Sequence, residues 1–340
     1  GMAEQDPWDL LDAVVQVIHD AAAHIDWQQD KLLAVSFSSA NQSVMMLDHR
    51  FQPLSRVITW ADTRAEEVAK KLKNSSIGGQ IYAQTGTPIH PMSPLTKIMW
   101  LHQSQPDKFA QAAYFGGIKS FLFHQFFGTF KIDISMASCM GMMNIHTGDW
   151  DDTALHLTKV QRSQLPMIVS GTTQEVGLTS TAQTKMGIPA ETPFVYGAFD
   201  GALSNLGVGA IHPDTIAITI GTSAGVRVVT DHPVVDPQQR LFCYALDTDR
   251  WVVGGPINNG GFVYQWAVHH LVDANAVQHA GTDPYTLANH VIGETPAGAH
   301  GLIFQPFLGG ERAPLWNADA RGGFFGLSPL HTRADMLRAV

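Results

Sequence analysis

The chain has 340 residues, 45% of them hydrophobic and 15% charged, a balance that suits a soluble globular protein of about two domains. Its formal net charge of −9 argues against nucleic-acid binding as the main task, because a phosphate backbone demands a basic face. No apolar run is long enough to cross a bilayer and no signal peptide opens the chain, so a membrane is not an expected partner either.

In chain order, Asp6-Pro7 reads as the N-cap and first-turn proline of a helix whose apolar spacing covers residues 8–25. Residues 32–37 (LLAVSF) read as a buried strand, 38–43 (SSANQS) as a turn, and 44–47 as the start of the next strand. Pro53-Leu54 and residues 58–60 continue a strand-rich section, after which a helix begins at Asp62. Pro94 opens a helix that carries Lys97 and Trp100. A further helix covers 118–127, and 131–138 (KIDISMAS) follows it. Residues 146–190 mix turn signals with short helices and read as a peripheral lobe. The segment 211–214 (IHPD) marks a boundary, giving domains over 1–210 and 215–340. The alternation of strands and helices makes the fold α/β.

Two neighbouring segments carry the chemistry. Residues 194–209 (FVYGAFDGALSNLGVG) read as an apolar strand ending on Asp200, followed by a short helix. A carboxylate at the carboxyl end of a strand in an α/β fold faces the crevice where ligands bind. Residues 216–230 (IAITIGTSAGVRVVT) read as a hairpin with a glycine-rich tip, whose backbone N–H groups and hydroxyls can approach phosphate closely. An aspartate base beside such a hairpin is what phosphoryl transfer to an alcohol needs. Each half also has a plainer reading, Asp200 as a turn residue and the GTS tip as an ordinary hairpin.

Together the two segments resemble the FGGY family of carbohydrate kinases, and four others extend the resemblance over essentially the whole chain. Residues 92–101 (MSPLTKIMWL) are similar to the first family signature, and the residues from Gly323 onward (GFFGLSPLHTRADMLRAV) to the start of the second. Residues 60–64 (WADTR) fit the family's W-x-D-x-R segment, and 309–322 (GGERAPLWNADARG) the segment preceding the second signature. Within the family, the runs ITWADTRA, SMASCMGMMNI and GGPINNGGFVYQW look most like its gluconate-phosphorylating members.

The resemblance implies an actin/hexokinase-like (ribonuclease H-like) fold with the active site in an interdomain cleft. It implies a substrate-binding first domain and a nucleotide-binding second domain. The activity it implies is ATP-dependent phosphorylation of a sugar or sugar acid, D-gluconate at its terminal hydroxyl foremost. A pentulose kinase acting on xylulose, or a non-catalytic sugar-binding fragment, are the alternatives. The family opens with a D-x-G-T-T/S strand and phosphate loop, and carries a later glycine-rich loop around the adenosine. Neither is in this sequence, so the chain is expected to be a central fragment of a longer kinase, poor at turning over ATP by itself. Gly1-Met2 reads as a remnant of tag cleavage.

Residue by residue, the family mechanism maps onto Asp200 as the general base. Gly221, Thr222 and Ser223 match its phosphate-binding turn, and Gly260 and Gly261 a helix start near the nucleotide, with a plain turn as the alternative. Asn41 and Gln42 occupy the turn where relatives place a dipeptide that contacts the polyol. Many gluconate and xylulose kinases have Met-His there; two carboxamides suit a row of hydroxyls, or simply stabilise a turn. Trp60 offers a flat face for the carbon side of a sugar, or packs in the core. Arg64 can take a carboxylate in bidentate fashion, or sit solvated on a helix face. Asp62 can accept sugar hydroxyls or N-cap the helix. Met92 joins the substrate set through the first signature. Lys97 and Trp100 are expected to orient the cleft rather than touch substrate, and Lys119 and Asp133 to lie at its edge.

The expected cofactors are ATP and the Mg2+ bound with it. The expected partners are a small sugar or sugar acid, with a homodimer left open. Sixteen histidines are scattered without ligand spacing, so no protein-bound metal is expected. The two cysteines, Cys139 and Cys243, fall in different expected domains and read as core packing in a reducing cytoplasm.

Overall fold

A computed structural model describes residues 1–317 and 319–340. The chain divides into two units, one of Gly1–Thr215 with Val228–Val253 and one of Ile216–Arg227 with Gly254–Val340. The expected boundary near 211–214 misses the return of 228–253 to the first unit. The reason is packing: Phe242, Cys243, Tyr244, Ala245 and Val252 all lie in the larger core of that unit.

In the first unit, helix Pro7–Ala22 starts as its sequence requires. Asp6 accepts the N–H of Trp8 at 2.9 Å, and Pro7 has no N–H to leave unpaired. Its apolar side joins an aromatic core of Phe123, Phe126, Phe194 and Tyr196, to which helix Ile118–Phe127 contributes two rings. Phe123 stacks on Tyr196 at 4.0 Å between centroids. Emptying such a fully buried ring position costs about 3–5 kcal/mol.

Over this core lies a three-stranded sheet. Strand Phe194–Phe199 is central, antiparallel to Gln174–Glu175 and parallel to Val35–Ser39. The expected buried strand at 32–37 is thus shifted along the chain and lies at the sheet's edge, where alternate residues meet solvent; Leu33 is 74% exposed. The helix expected from Asp62 begins instead at Glu66, after a turn built on the Asp62 carboxylate. Residues 146–190 are no peripheral lobe. Trp150, Ala154 and Leu165 enter one core and Ala182, Met186 and Ile188 another, while strand Met167–Val169 pairs in parallel with Lys131–Asp133.

The second unit begins with strand Ile216–Ile220 and the start of strand Ala224–Thr230, neighbours in a hairpin. Helix Gly261–Leu271 follows, with helices Ala274–Ala280 and Pro284–Glu294, the antiparallel pair Ile303–Gln305 and Gly323–Phe325, and helix Arg333–Ala339. The last helix packs on the first and third of these. Among the described residues no helix is long and apolar enough to cross a membrane.

Candidate functional site

Parallel pairing aligns Phe199 with Ser39, so both strands leave the sheet at the same end. After Ser39 the chain turns through Asn41 and Gln42; after Phe199 it enters helix Asp200–Gly207. Asp200 is exposed there, its Oδ1 accepting the N–H of Gly201 at 2.7 Å. Its strand is not regular. The register slips between Val195 and Ala198, and Gly197 sits at φ 66°, where a Cβ would lie 2.0 Å from the carbonyl oxygen of Phe37. Only glycine fits that bulge.

Beside this end of the sheet lies a cavity of about 360 Å³ walled in part by Glu4, Asn41, Ser43, Thr59, Trp60 and Ile118. Trp60 is 50% exposed, so it is a wall of the cavity and not part of the core. Asn41 donates to the buried sulfur of Cys139 at 3.4 Å. Gln42 takes a left-handed conformation at φ 62° and is buried. Its Nε2 donates to the Tyr244 hydroxyl at 2.9 Å, and its Oε1 has no hydrogen-bond partner among the described residues. Turning the amide over would only exchange the two, leaving one polar end unmatched. Tyr244 in turn packs edge-on against Phe199, the residue before Asp200.

Three of the expected substrate residues stand behind this wall. Asp62 is 1% exposed and accepts from the N–H groups of Ala3 and Arg64 and from Arg64 Nε. Burial pushes its carboxyl up, but the guanidinium and the two N–H donors outweigh that and keep it below the usual carboxylate range. Asp62 does not cap a helix, since the N-cap of Glu66–Lys73 is Ala65. Arg64 also bonds Glu4 and lies over the Trp100 ring at 4.5 Å, so its donors are largely committed within the fold. Met92 is buried and contributes a carbonyl, which accepts from Lys97 at 2.7 Å.

Lys97 ties these pieces together. It is 1% exposed, and its ammonium donates to the carbonyls of Gln42, Thr59 and Met92 at 2.8, 2.7 and 2.7 Å. Burial pulls its pKa down to about 7, Asp62 working against the shift and Arg64 with it. Lys119 and Asp133 are not edge residues at all. They form a 2.7 Å ion pair in which neither side chain is more than 2% exposed.

In the second unit, helix Gly261–Leu271 starts directly on the hairpin tip. The N–H of Gly261 donates to Gly221 O at 2.7 Å and that of Phe262 to Thr222 O at 3.2 Å. A Cβ on Gly260 would lie 2.6 Å from Ser223 C, and one on Gly261 2.8 Å from Gly221 O. These glycines are therefore required by helix-on-hairpin packing. Gly221 is different: nothing lies nearer than 3.8 Å to where its Cβ would be, and its φ is ordinary. Its lack of a side chain leaves open space over the tip, which suits a phosphate approaching the backbone.

Sequence reasoning passed over Tyr244 and Glu311. Glu311 is 4% exposed and accepts from the backbone N–H of Asn258 and from Asn259 Nδ2, joining the NNGG segment to the GGERAP loop. The one available signal was an acidic residue between glycines and an arginine.

Two family models match the chain. The N-terminal domain of the FGGY family of carbohydrate kinases covers residues 1–207 and the C-terminal domain covers 216–340. The chain belongs to the FGGY family of carbohydrate kinases. Both domains of this family are represented, so the expectation of missing parts is not supported at the level of domains. Among curated relatives, the gluconokinase of Bacillus subtilis is 43% identical over 99% of the chain, and the xylulose kinase of Staphylococcus xylosus 25% over 100%. The chain spans 66% of the length of that gluconokinase and 68% of that xylulose kinase. Among solved structures, a gluconate kinase from Lactobacillus acidophilus superposes with TM-score 0.93 at 39% identity, covering 99% of this chain and 67% of its own. A ligand-bound xylulose kinase from the same organism gives 0.93 at 38%, with the same coverage. The fold is thus the two-domain mixed α/β fold of sugar kinases.

Proposed function

We propose that this chain carries the acceptor site and the phosphate-gripping turn of an ATP-dependent kinase that phosphorylates D-gluconate at its terminal hydroxyl, giving 6-phosphogluconate. The observation that carries the reading is Asp200, exposed at the carboxyl end of its strand, where the parallel register brings it beside the Asn41 turn and its cavity. The Asp200 carboxylate takes the hydroxyl proton as that oxygen attacks the γ-phosphorus and the bond to the ADP oxygen breaks. A positioned base supplies about a hundred- to ten-thousand-fold; positioning and charge neutralisation supply the rest.

Asn41 is the polar group offered to sugar hydroxyls and Trp60 the face for the carbon skeleton, while Gln42, buried and outside the cavity lining, holds the turn from behind. Asp62, Arg64 and Met92 act from behind that wall. Gly221, Thr222 and Ser223 receive the phosphates, with Gly260 and Gly261 setting the helix against them. Mg2+ arriving on the nucleotide supplies charge neutralisation there. The two buried, unpaired cysteines fit a reducing cytoplasm.

The similarity to the ligand-bound xylulose kinase at nearly the same identity favours a second reading, a pentulose kinase. A coupled ADP-release assay of the natural, full-length protein on gluconate, xylulose, ribulose and glycerol separates them. Gluconate is expected to exceed the others in kcat/KM by at least about tenfold. Preference for xylulose establishes the second reading, and no ADP release with any of these substrates refutes both.

A further inference from the structure

The buried pair Lys119–Asp133 is a titratable cluster that the proposed mechanism leaves without a task. Lys119 spends its three donors on Asp133 Oδ2 at 2.7 Å, Tyr196 O at 2.8 Å and Ala198 O at 3.3 Å. The two carbonyls flank Gly197, the bulge of the strand that ends at Asp200. Asp133 is itself pinned, because its Oδ1 accepts the N–H of Met136 as the N-cap of helix Ile134–Ser138. Two residues on, Ser135 Oγ accepts the N–H of Phe199 at 3.4 Å. The last residues before Asp200 are therefore gripped from two elements.

A buried ion pair is a poor device for stability alone, since desolvation offsets most of the attraction. It is a good device for fixing one geometry. A bulge changes the direction in which the following side chains leave a strand, and this one has two carbonyls that only a multidentate cation reaches together.

We propose that Lys119, oriented by Asp133, is a positioning residue that locks the Gly197 bulge and thereby sets the direction of the Asp200 carboxylate. Its importance for catalysis rests on the reading of Asp200 as the base. Without the clamp, the strand end relaxes toward regular pairing, and the carboxylate points away from the attacking hydroxyl for most of the time.

The test uses Lys119→Met with Asp133→Leu as a double variant, because removing both charges leaves neither one buried without its partner. Thermal melting establishes that it is folded, and kcat and both KM values are measured per folded molecule. Hydrogen exchange is followed over residues 194–200. The clamp predicts a kcat at least tenfold lower with KM for gluconate and for ATP within about threefold, and faster exchange confined to 194–200. A folded double variant with wild-type kcat and unchanged exchange overturns the proposal, as does exchange that rises evenly throughout the first unit. Should the double variant fail to fold, Lys119→Met with Asp133→Asn, which removes the ammonium from both carbonyls while Asn still caps the Met136 N–H, is subjected to the same measurements and criteria. If Asp200→Asn is fully active, the base assignment is what fails, and the exchange pattern alone then decides the clamp.

Discussion

The ammonium nitrogen of Lys97 lies 2.7 Å from the carbonyl oxygen of Thr59, the residue that precedes Trp60 in the cavity wall. The same nitrogen reaches Gln42 O and Met92 O, so one side chain fixes three segments that meet nowhere in sequence. Lys97→Met fills the volume but leaves three carbonyls short of a donor. The KM for gluconate is expected to rise by about tenfold, equivalent to about 1.4 kcal/mol, while the KM for ATP stays put. Steady-state kinetics with each substrate varied in turn checks this; equal increases in both would mean general loosening.

Lys97 also carries a pH signature. Its folded pKa near 7 lies below the ordinary lysine value of 10.5, because burial penalises the charge. Between those values the unfolded chain binds the proton more tightly than the folded one, so this group's contribution to stability rises with pH from about 7 to about 10.5. Below 7 it is constant and unfavourable. Denaturant titrations of the wild type and Lys97→Met across that window should diverge, the wild type gaining on the variant as pH rises. Parallel curves would mean that the three carbonyls keep the ammonium charged throughout.

Asp200→Asn keeps size and polarity but cannot accept the proton. The kcat is expected to fall at least a hundredfold, with gluconate affinity by calorimetry changed by less than about threefold. Retention of more than about a tenth of wild-type kcat removes Asp200 from the base role.

Arg64 is bound to Asp62 and Glu4 and stacked over Trp100, which points to support of the wall. Arg64→Met should then raise KM for gluconate and for neutral polyols alike and lower the melting temperature. A loss confined to gluconate, with neutral polyols untouched, would return to Arg64 the carboxylate-binding role.

Two glycines on either side of the hairpin–helix contact make opposite predictions. Gly221→Ala meets open space and should melt within about 2 °C of the wild type, yet raise KM for ATP by about tenfold. Gly260→Ala drives a Cβ into the Ser223 backbone and should cost about 1–3 kcal/mol of stability. Matching melting losses in both would show that the tip is packed by protein and not kept clear for a ligand.

Local signals in the sequence reached far where chemistry is local. Asp6-Pro7 announces its helix, 118–127 reads as the helix it is, and an apolar run closing on Asp200 identifies the strand end. Side chains whose partners lie far along the chain were not legible in this way. Lys119 reads as a residue of the cleft edge until strand Phe194–Phe199 delivers two carbonyls to it. Arg64 reads as an anion site until Glu4, sixty positions earlier, takes up one of its donors. Tyr244 could not be tied to Gln42 from sequence because the segment carrying it returns to the first unit across 202 positions. Composition reports burial in general; it does not say which buried cation faces which carbonyl.

Cys139 and Cys243 are the chain's only thiols, both buried and both held in the protonated form by desolvation, Cys243 up to about 11. Because the thiolate is the reactive form, the native fold is chemically silent toward alkylating reagents. A cysteine introduced on the surface would be labelled alone, giving a single attachment point for a dye without disturbing the core. In the unaltered protein, slow alkylation becomes a clock that ticks only when the interior opens.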